Sequence, residues 1–268
     1  HEGALQQYRE ASTIVPDQPL YHRQTGSVLY RLGRYEKAVT ALQHALRLNS
    51  DDPEAYILLG HARKELGDFQ GALAAYQAAI ELSPDGAAYH RELGLLFHQL
   101  DEPEKAVESL RNAISLDESD AEAHRALGEI HEADGKLKDA LSEYRRAANS
   151  STDESRYPRA YGRVLRKLGI YDEAVEALQE ALVIDPEDAE SHYELGATFE
   201  MQGQYDNARS EYEDAVALSP DVARYRLSMG AIWRKIGLQA RMLAEAGISK
   251  SRDQEPDPEL EQYQEGVA

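Results

Sequence analysis

Histidine is the first residue type in this 268-residue chain whose number and spacing could support chemistry. There are nine, and four of them, His22, His90, His124 and His192, fall at whole multiples of one interval, that from His90 to His124. Imidazole is a common ligand for zinc and related ions, and such an ion holds its ligand nitrogens about 2 Å away. Histidines at the same place on successive helices would be about 10 Å apart, the spacing of packed helix axes. They cannot share an ion, so packing is their expected role and no metal is expected. His124 and His131 lie two turns apart on one helix, again too far. The chain has no cysteine, which removes thiolate ligands, disulfides and a cysteine nucleophile. No Gly-rich phosphate loop follows a strand pattern, and no Ser-His-acid grouping breaks the surrounding regularity. Neither a cofactor nor catalysis is expected.

Arginine is the second such residue type. Moving along the chain by the same interval gives Arg23, Ile57, Arg91, Arg125, Arg159, Tyr193 and Leu227. Guanidinium matches carboxylate in a bidentate way, each charge-assisted hydrogen bond contributing about 1.5–3 kcal/mol. Arg156, Arg159, Arg163, Arg166 and Lys167 concentrate the same chemistry, with no acid between residues 155 and 168. Arg224, Arg234 and Lys235 follow further on. In a chain of net charge −20 these cations form a candidate surface for an acidic segment, while the overall charge argues against nucleic acid as a partner. The competing reading is internal pairing, for which Glu54, Glu92, Glu122, Glu129, Glu132, Glu190, Glu194 and Glu200 are suitably placed.

The elements that must position these groups follow from a strict repeat. Gly26, Gly60, Gly94, Gly128, Gly162, Gly196 and Gly230 are evenly spaced at that interval. Ala38, Ala72, Ala106, Ala140, Ala174 and Ala208 keep it too, as do Ala45, Ala79, Ala113, Ala147, Ala181 and Ala215. Between them sit Leu42, Tyr76, Leu110, Tyr144, Leu178 and Tyr212. The alanines stand at i and i+7 with the larger residue at i+4, which is one face of a helix. The glycine falls on the preceding helix, where it costs about 1 kcal/mol relative to alanine. Its recurrence predicts a partner helix too near for a Cβ. A second glycine (Gly33, Gly67, Gly135, Gly169, Gly203, Gly237) supplies the turn between the two helices. Pro16, Pro84, Pro186 and Pro220 end the second helix of their units.

This layout of Leu-Gly, then Gly-x-Tyr/Phe, then Ala-x3-Leu/Tyr-x2-Ala and Pro resembles the tetratricopeptide repeat. The resemblance implies an all-α fold, a right-handed α-α superhelix of antiparallel helix pairs, used as a protein–protein interaction scaffold. It also implies that ligands lie on the concave side, lined by the second, fifth, ninth, twelfth and thirteenth residues of each unit. Those positions select Arg91, Arg125, Arg156, Arg159, Arg163, Arg166, Lys167 and Arg234 as a candidate partner-binding groove. Helices about 8–10 Å apart would offer an arginine to about every third residue of an extended peptide. Relatives that clamp a terminal carboxylate use Lys with Asn at these positions, and this chain has no Asn there.

Residues 1–18 read as the second helix of a truncated repeat, on Ala4, Tyr8, Ala11 and Pro16. Residues 19–222 form six consecutive 34-residue units, starting at Pro19, Pro53, Ala87, Ala121, Ser155 and Ala189. Residues 223–248 read as a seventh first helix ending at Gly237, followed by a capping helix in which Met242 replaces the expected alanine. Residues 249–268 read as an acidic disordered tail or linker. The junction at 149–155 lacks the usual closing Leu and Pro, and Pro158 replaces a large residue, so few apolar contacts and a soft bend are expected there. No run of 18 apolar residues occurs, so no membrane span is expected; a cytoplasmic location is. Two further readings stand beside the scaffold. One is a sensor or regulatory segment of a larger multidomain enzyme; the other is self-association, with the acidic tail of one copy on the basic strip of another.

Overall fold

Helix pairs joined by three-residue turns account for nearly all of the residues described, 2–245, in a computed structural model of the chain. The helices divide between two compact units that meet in sequence at Asp134 and Gly135. The first unit holds α1 (Glu2–Ile14), α2 (Pro19–Arg31), α3 (Tyr35–Leu48), α4 (Pro53–Glu65), α5 (Phe69–Leu82), α6 (Ala87–Gln99), α7 (Pro103–Leu116) and α8 (Ala121–Ala133). The second holds α9 (Leu137–Ser150), α10 (Arg156–Lys167), α11 (Tyr171–Ile184), α12 (Ala189–Met201), α13 (Tyr205–Leu218) and α14 (Ala223–Glu245). Within each unit a helix packs on the next in sequence, and α2 also touches α4, α6 touches α8 and α10 touches α12. This is the all-α architecture of a tetratricopeptide solenoid.

The small-residue columns make the pairing. Ala38, Leu42 and Ala45 of α3 are buried, as are Ala106, Leu110 and Ala113 of α7 and Ala174, Leu178 and Ala181 of α11. Leu42, Tyr76, Leu110, Leu178 and Tyr212 each fill the space over the glycine sixteen residues before it. A Cβ built on Gly26 would lie 2.5 Å from Leu42 Cγ, and one on Gly162 2.7 Å from Leu178 Cγ. Gly60 and Gly196 stand in the same way beneath the rings of Tyr76 and Tyr212. The alternation of leucine and tyrosine therefore varies what fills the gap, while the glycine keeps the gap open.

The turns between paired helices use left-handed backbone at Gly33, Gly67, Gly169 and Gly203, with φ from +69° to +78°, and Gly135, between α8 and α9 in sequence, has φ +73°. Asp101 takes that role between α6 and α7 at φ +59°, a conformation that Asp tolerates better than most side chains. The first helices of alternate units begin on an aspartate. Asp52, Asp120 and Asp188 accept the free N–H groups of Ala55, Ala123 and Ser191 and so cap α4, α8 and α12.

Two expectations are corrected. The turn at Gly237 is absent, because α14 runs unbroken from Ala223 to Glu245. After each of the glycine turns a large residue stands two places on and opens the second helix, as Tyr35, Phe69 and Tyr205 do. Gln239 stands there after Gly237. The shortage of apolar contacts at the 149–155 junction is not found either. Tyr157 and Pro158 are buried in the first turn of α10, and Ala160 and Val164 pack with Ala140 and Tyr144. The end of the expected capping helix and the acidic tail lie outside the described residues. Among those described, no helix is long and apolar enough to cross a membrane.

Candidate functional site

The arginines at the fifth position turn out to be structural fasteners as much as a surface. Arg23 of α2 bonds Asp52 at 2.7 Å, Arg91 of α6 bonds Asp120 at 2.9 Å, and Arg159 of α10 bonds Asp188. Each aspartate is the one that caps the next first helix, so a single carboxylate ends one helix and holds its neighbour. The side chains of Asp52, Asp120 and Asp188 are 9%, 3% and 8% exposed, too little for water to weaken the pairing much. Burial pushes the Asp188 carboxyl up, but the Ser191 hydrogen bond, the Arg159 charge and the Ser155 hydroxyl outweigh it and hold the group below the usual carboxylate range. Burial likewise opposes ionisation of Glu92. The hydrogen bond from His61, with the charges of His61, Lys64 and Arg91, holds that carboxyl below its ordinary value too.

The other candidate groove residues divide by partner. Arg166 bonds Glu194 of α12 at 2.6 Å, and Glu194 is buried. Arg125 is held within its own helix by Glu122 at 2.7 Å and by Glu129. Arg156 bonds Glu154 and lies over the Tyr157 ring, 4.9 Å from its centroid. Arg163 reaches the Tyr144 hydroxyl at 3.4 Å. Lys167 and Arg234 are exposed. In the second unit, α10, α12 and α14 thus bring cations and aromatic rings together. Arg224 stacks on both Tyr193 and Tyr225, and the two rings lie 5.1 Å apart. Leu227, one turn on, is 73% exposed.

The aspartate partners escaped the sequence reading, although a signal for them existed. Arg23, Arg91 and Arg159 recur in every second unit, and so do Asp52, Asp120 and Asp188, each 29 residues after its arginine. A search at the single-unit interval alone passes over a pattern that lives in alternate units.

The recurring histidines share one contact and differ in what the other ring nitrogen meets, which for His22 is His44 Nδ1 at 3.1 Å. His22, His90, His124 and His192 each place Nε2 within 2.7–3.2 Å of the carbonyl six residues upstream, on Pro16, Pro84, Glu118 and Pro186. The ring fastens the loop between units, which is the packing role expected of it. At His192, however, Nδ1 also meets Glu211 Oε2 at 2.7 Å and Asp214 Oδ2 at 4.0 Å, both from α13. These three are a group among the described residues able to surround a metal ion. Comparing histidines only with one another along the repeat could not reveal it, because its acids lie on the paired helix.

The family model described as the Cilia and flagella-associated protein 70 C-terminal domain matches residues 2–231. Among solved structures, a chain of the crystal structure of the APC/C hetero-tetramer Cut9-Hcn1 is similar over 84% of this chain, at a TM-score of 0.71 and 18% identity. The matched region spans 44% of that chain, and at this identity the likeness is one of fold. The crystal structure of MamA is similar over 62% of this chain and 98% of its own, at a TM-score of 0.55 and 26% identity. No curated protein matches the chain.

Proposed function

This chain belongs to the Cilia and flagella-associated protein 70 C-terminal domain family, and from that premise we propose that it is a non-catalytic protein–protein interaction scaffold whose first helices hold a segment of a partner protein. The partner class that the chemistry favours is an acidic segment, and the observation that carries this is α10. That helix contains Arg156, Arg159, Arg163, Arg166 and Lys167 and no acid, while its opposite face buries Tyr157, Ala160, Val164 and Leu165. Within the second unit Arg159 and Arg166 are committed to Asp188 and Glu194, which ties α10 to α12. Arg163 and Lys167 stand one turn apart beside them. The Tyr193–Tyr225 stack and Leu227 supply apolar ground on the neighbouring first helices. Charge would then set the sign of the ligand, and the aromatic rings its grip.

The fasteners decide how this is tested. Reversing Arg159 or Arg166 would damage the fold, and Arg163 is half-buried against Tyr144, so the informative variant is Lys167→Glu with Arg234→Glu, at two exposed positions. The 268-residue chain is titrated with Glu-rich, Lys-rich and Gly/Ser peptides of one length, followed by fluorescence anisotropy. The Glu-rich peptide is expected to bind best, to weaken as NaCl rises from about 50 to about 300 mM, and to lose about tenfold or more in affinity for the double variant. Equal binding of the Lys-rich or neutral peptide would overturn the acidic-partner reading.

A further inference from the structure

We propose that His192, Glu211 and Asp214 form a binding site for a divalent first-row transition ion, with zinc as its reference ion. This site is separate from the partner-binding reading and does not depend on it. Glu211 and Asp214 stand at i and i+3 on α13, which puts both carboxylates on one face. His192 of α12 meets them from the paired helix. Its Nδ1 and one oxygen from each acid all lie within 4.8 Å of one another. Four ligands about 2.0–2.1 Å from a tetrahedral ion would be about 3.3 Å apart. The distances of 2.7 and 4.0 Å bracket that value, so an ion between them asks each pair to move by roughly two thirds of an ångström. Asp214 has the larger shift to make, and its side chain is 57% exposed and unconfined by packing.

Two features suit the group to an ion, the first shared with the other recurring histidines and the second particular to this one. First, metal-binding histidines almost always donate their second ring N–H to a carbonyl or carboxylate, which fixes the ring and directs the other nitrogen at the metal. His192 has that arrangement in place, with Nε2 on the Pro186 carbonyl at 3.2 Å. Nδ1 then faces two carboxylates, a setting that calls for a cation between them, either a proton or a metal. Second, the arrangement is particular to this unit. The residues 19 and 22 places after the recurring histidine are Ala41 and His44, Ser109 and Asn112, or Glu143 and Arg146 in other units, and two acids only after His192. The carbonyl contact belongs to the fold, whereas the pair of acids does not. One imidazole and two carboxylates make a nitrogen–oxygen donor set suited to zinc, cobalt or nickel. Three protein ligands leave the fourth position to water.

The competing account is a proton alone: a charged His192 ring bonded to Glu211, in which Asp214 at 4.0 Å plays no part. The full chain is titrated with cobalt(II), read by visible absorption, and with zinc(II), read by calorimetry. One ion per chain at this site is expected. Asp214→Asn should weaken it about tenfold or more, and His192→Ala should abolish the cobalt spectrum. Because Asp214 is exposed, its variant tests the site with the helices intact, checked by circular dichroism. Absorption unchanged in either variant, or no binding by the unmodified chain at about 1 mM metal, overturns the site.

Discussion

Tyr76 and Tyr212 occupy the same place in their units, and only one of them has its hydroxyl satisfied. Tyr212 donates to Glu200 Oε2 at 2.7 Å, and Glu200 also receives Lys235 Nζ at 2.6 Å. The Tyr76 hydroxyl is buried with no hydrogen-bond partner among the described residues, and burial pushes its phenol far above the ordinary range. A hydrogen bond to a charged group contributes about 1.5–3 kcal/mol, while an unsatisfied buried hydroxyl is a net cost. Tyr76→Phe is therefore expected to be neutral or to stabilise by up to about 1 kcal/mol, and Tyr212→Phe to destabilise by about 2 kcal/mol. Urea denaturation of the two variants decides it; the opposite order would show that the ring environments, not the hydroxyls, differ. Sequence alone does not separate these tyrosines. Both read as fillers over a glycine, and the acid that distinguishes Tyr212 comes from twelve residues upstream on α12.

At the level of the helix, the glycine column looks uniform along the chain, yet the described residues give Gly230 no reason to be glycine. A Cβ on Gly94 would meet Leu110 Cγ at 2.7 Å and the Leu110 backbone nitrogen at 3.1 Å. A Cβ on Gly230 would meet no atom within 4 Å among the described residues outside its own helix backbone, because α14 does not turn back on itself. Replacing a helical glycine by alanine gains about 1 kcal/mol of propensity, and overpacking costs about 1–3 kcal/mol. Gly230→Ala should then stabilise the chain by about 1 kcal/mol, and Gly94→Ala should destabilise it. Matched denaturation curves test both, and a destabilised Gly230→Ala would mean that a helix covers that face after all. The difference is legible in principle. Sixteen residues after each packed glycine stands Leu or Tyr, and sixteen after Gly230 stands Ala246. The expected capping helix fails on the same point: glycine marks a turn only where a residue follows that can seat the next helix.

Over the whole chain, 49 acids face 29 lysines and arginines, and the two kinds of charge interaction respond differently to salt. The recurring pairs are in contact and partly buried, so a Debye length of about 10 Å at 0.1 M hardly weakens them. Repulsion among the surplus acids acts over longer distances and is screened. Raising NaCl from about 10 mM to about 150 mM should accordingly raise Tm; a fall would show that the pairs outweigh the repulsion. The helix-pair architecture was legible as far as the start of α14 because it rests on small residues at a fixed interval, whose meaning is local. The site was legible only in outline. The arginines were visible, but whether Arg159 or Arg166 faces a ligand or an acid of its own chain depends on a residue 29 or 28 places away. That dependence has a consequence for how such a chain can grow or shrink. Since the arginine clasp and its aspartate recur in every second unit, the tile that copies without a seam is a doublet. Removing a doublet would leave every clasp with its keeper, whereas removing a single unit would set an arginine against a neighbour of the wrong parity.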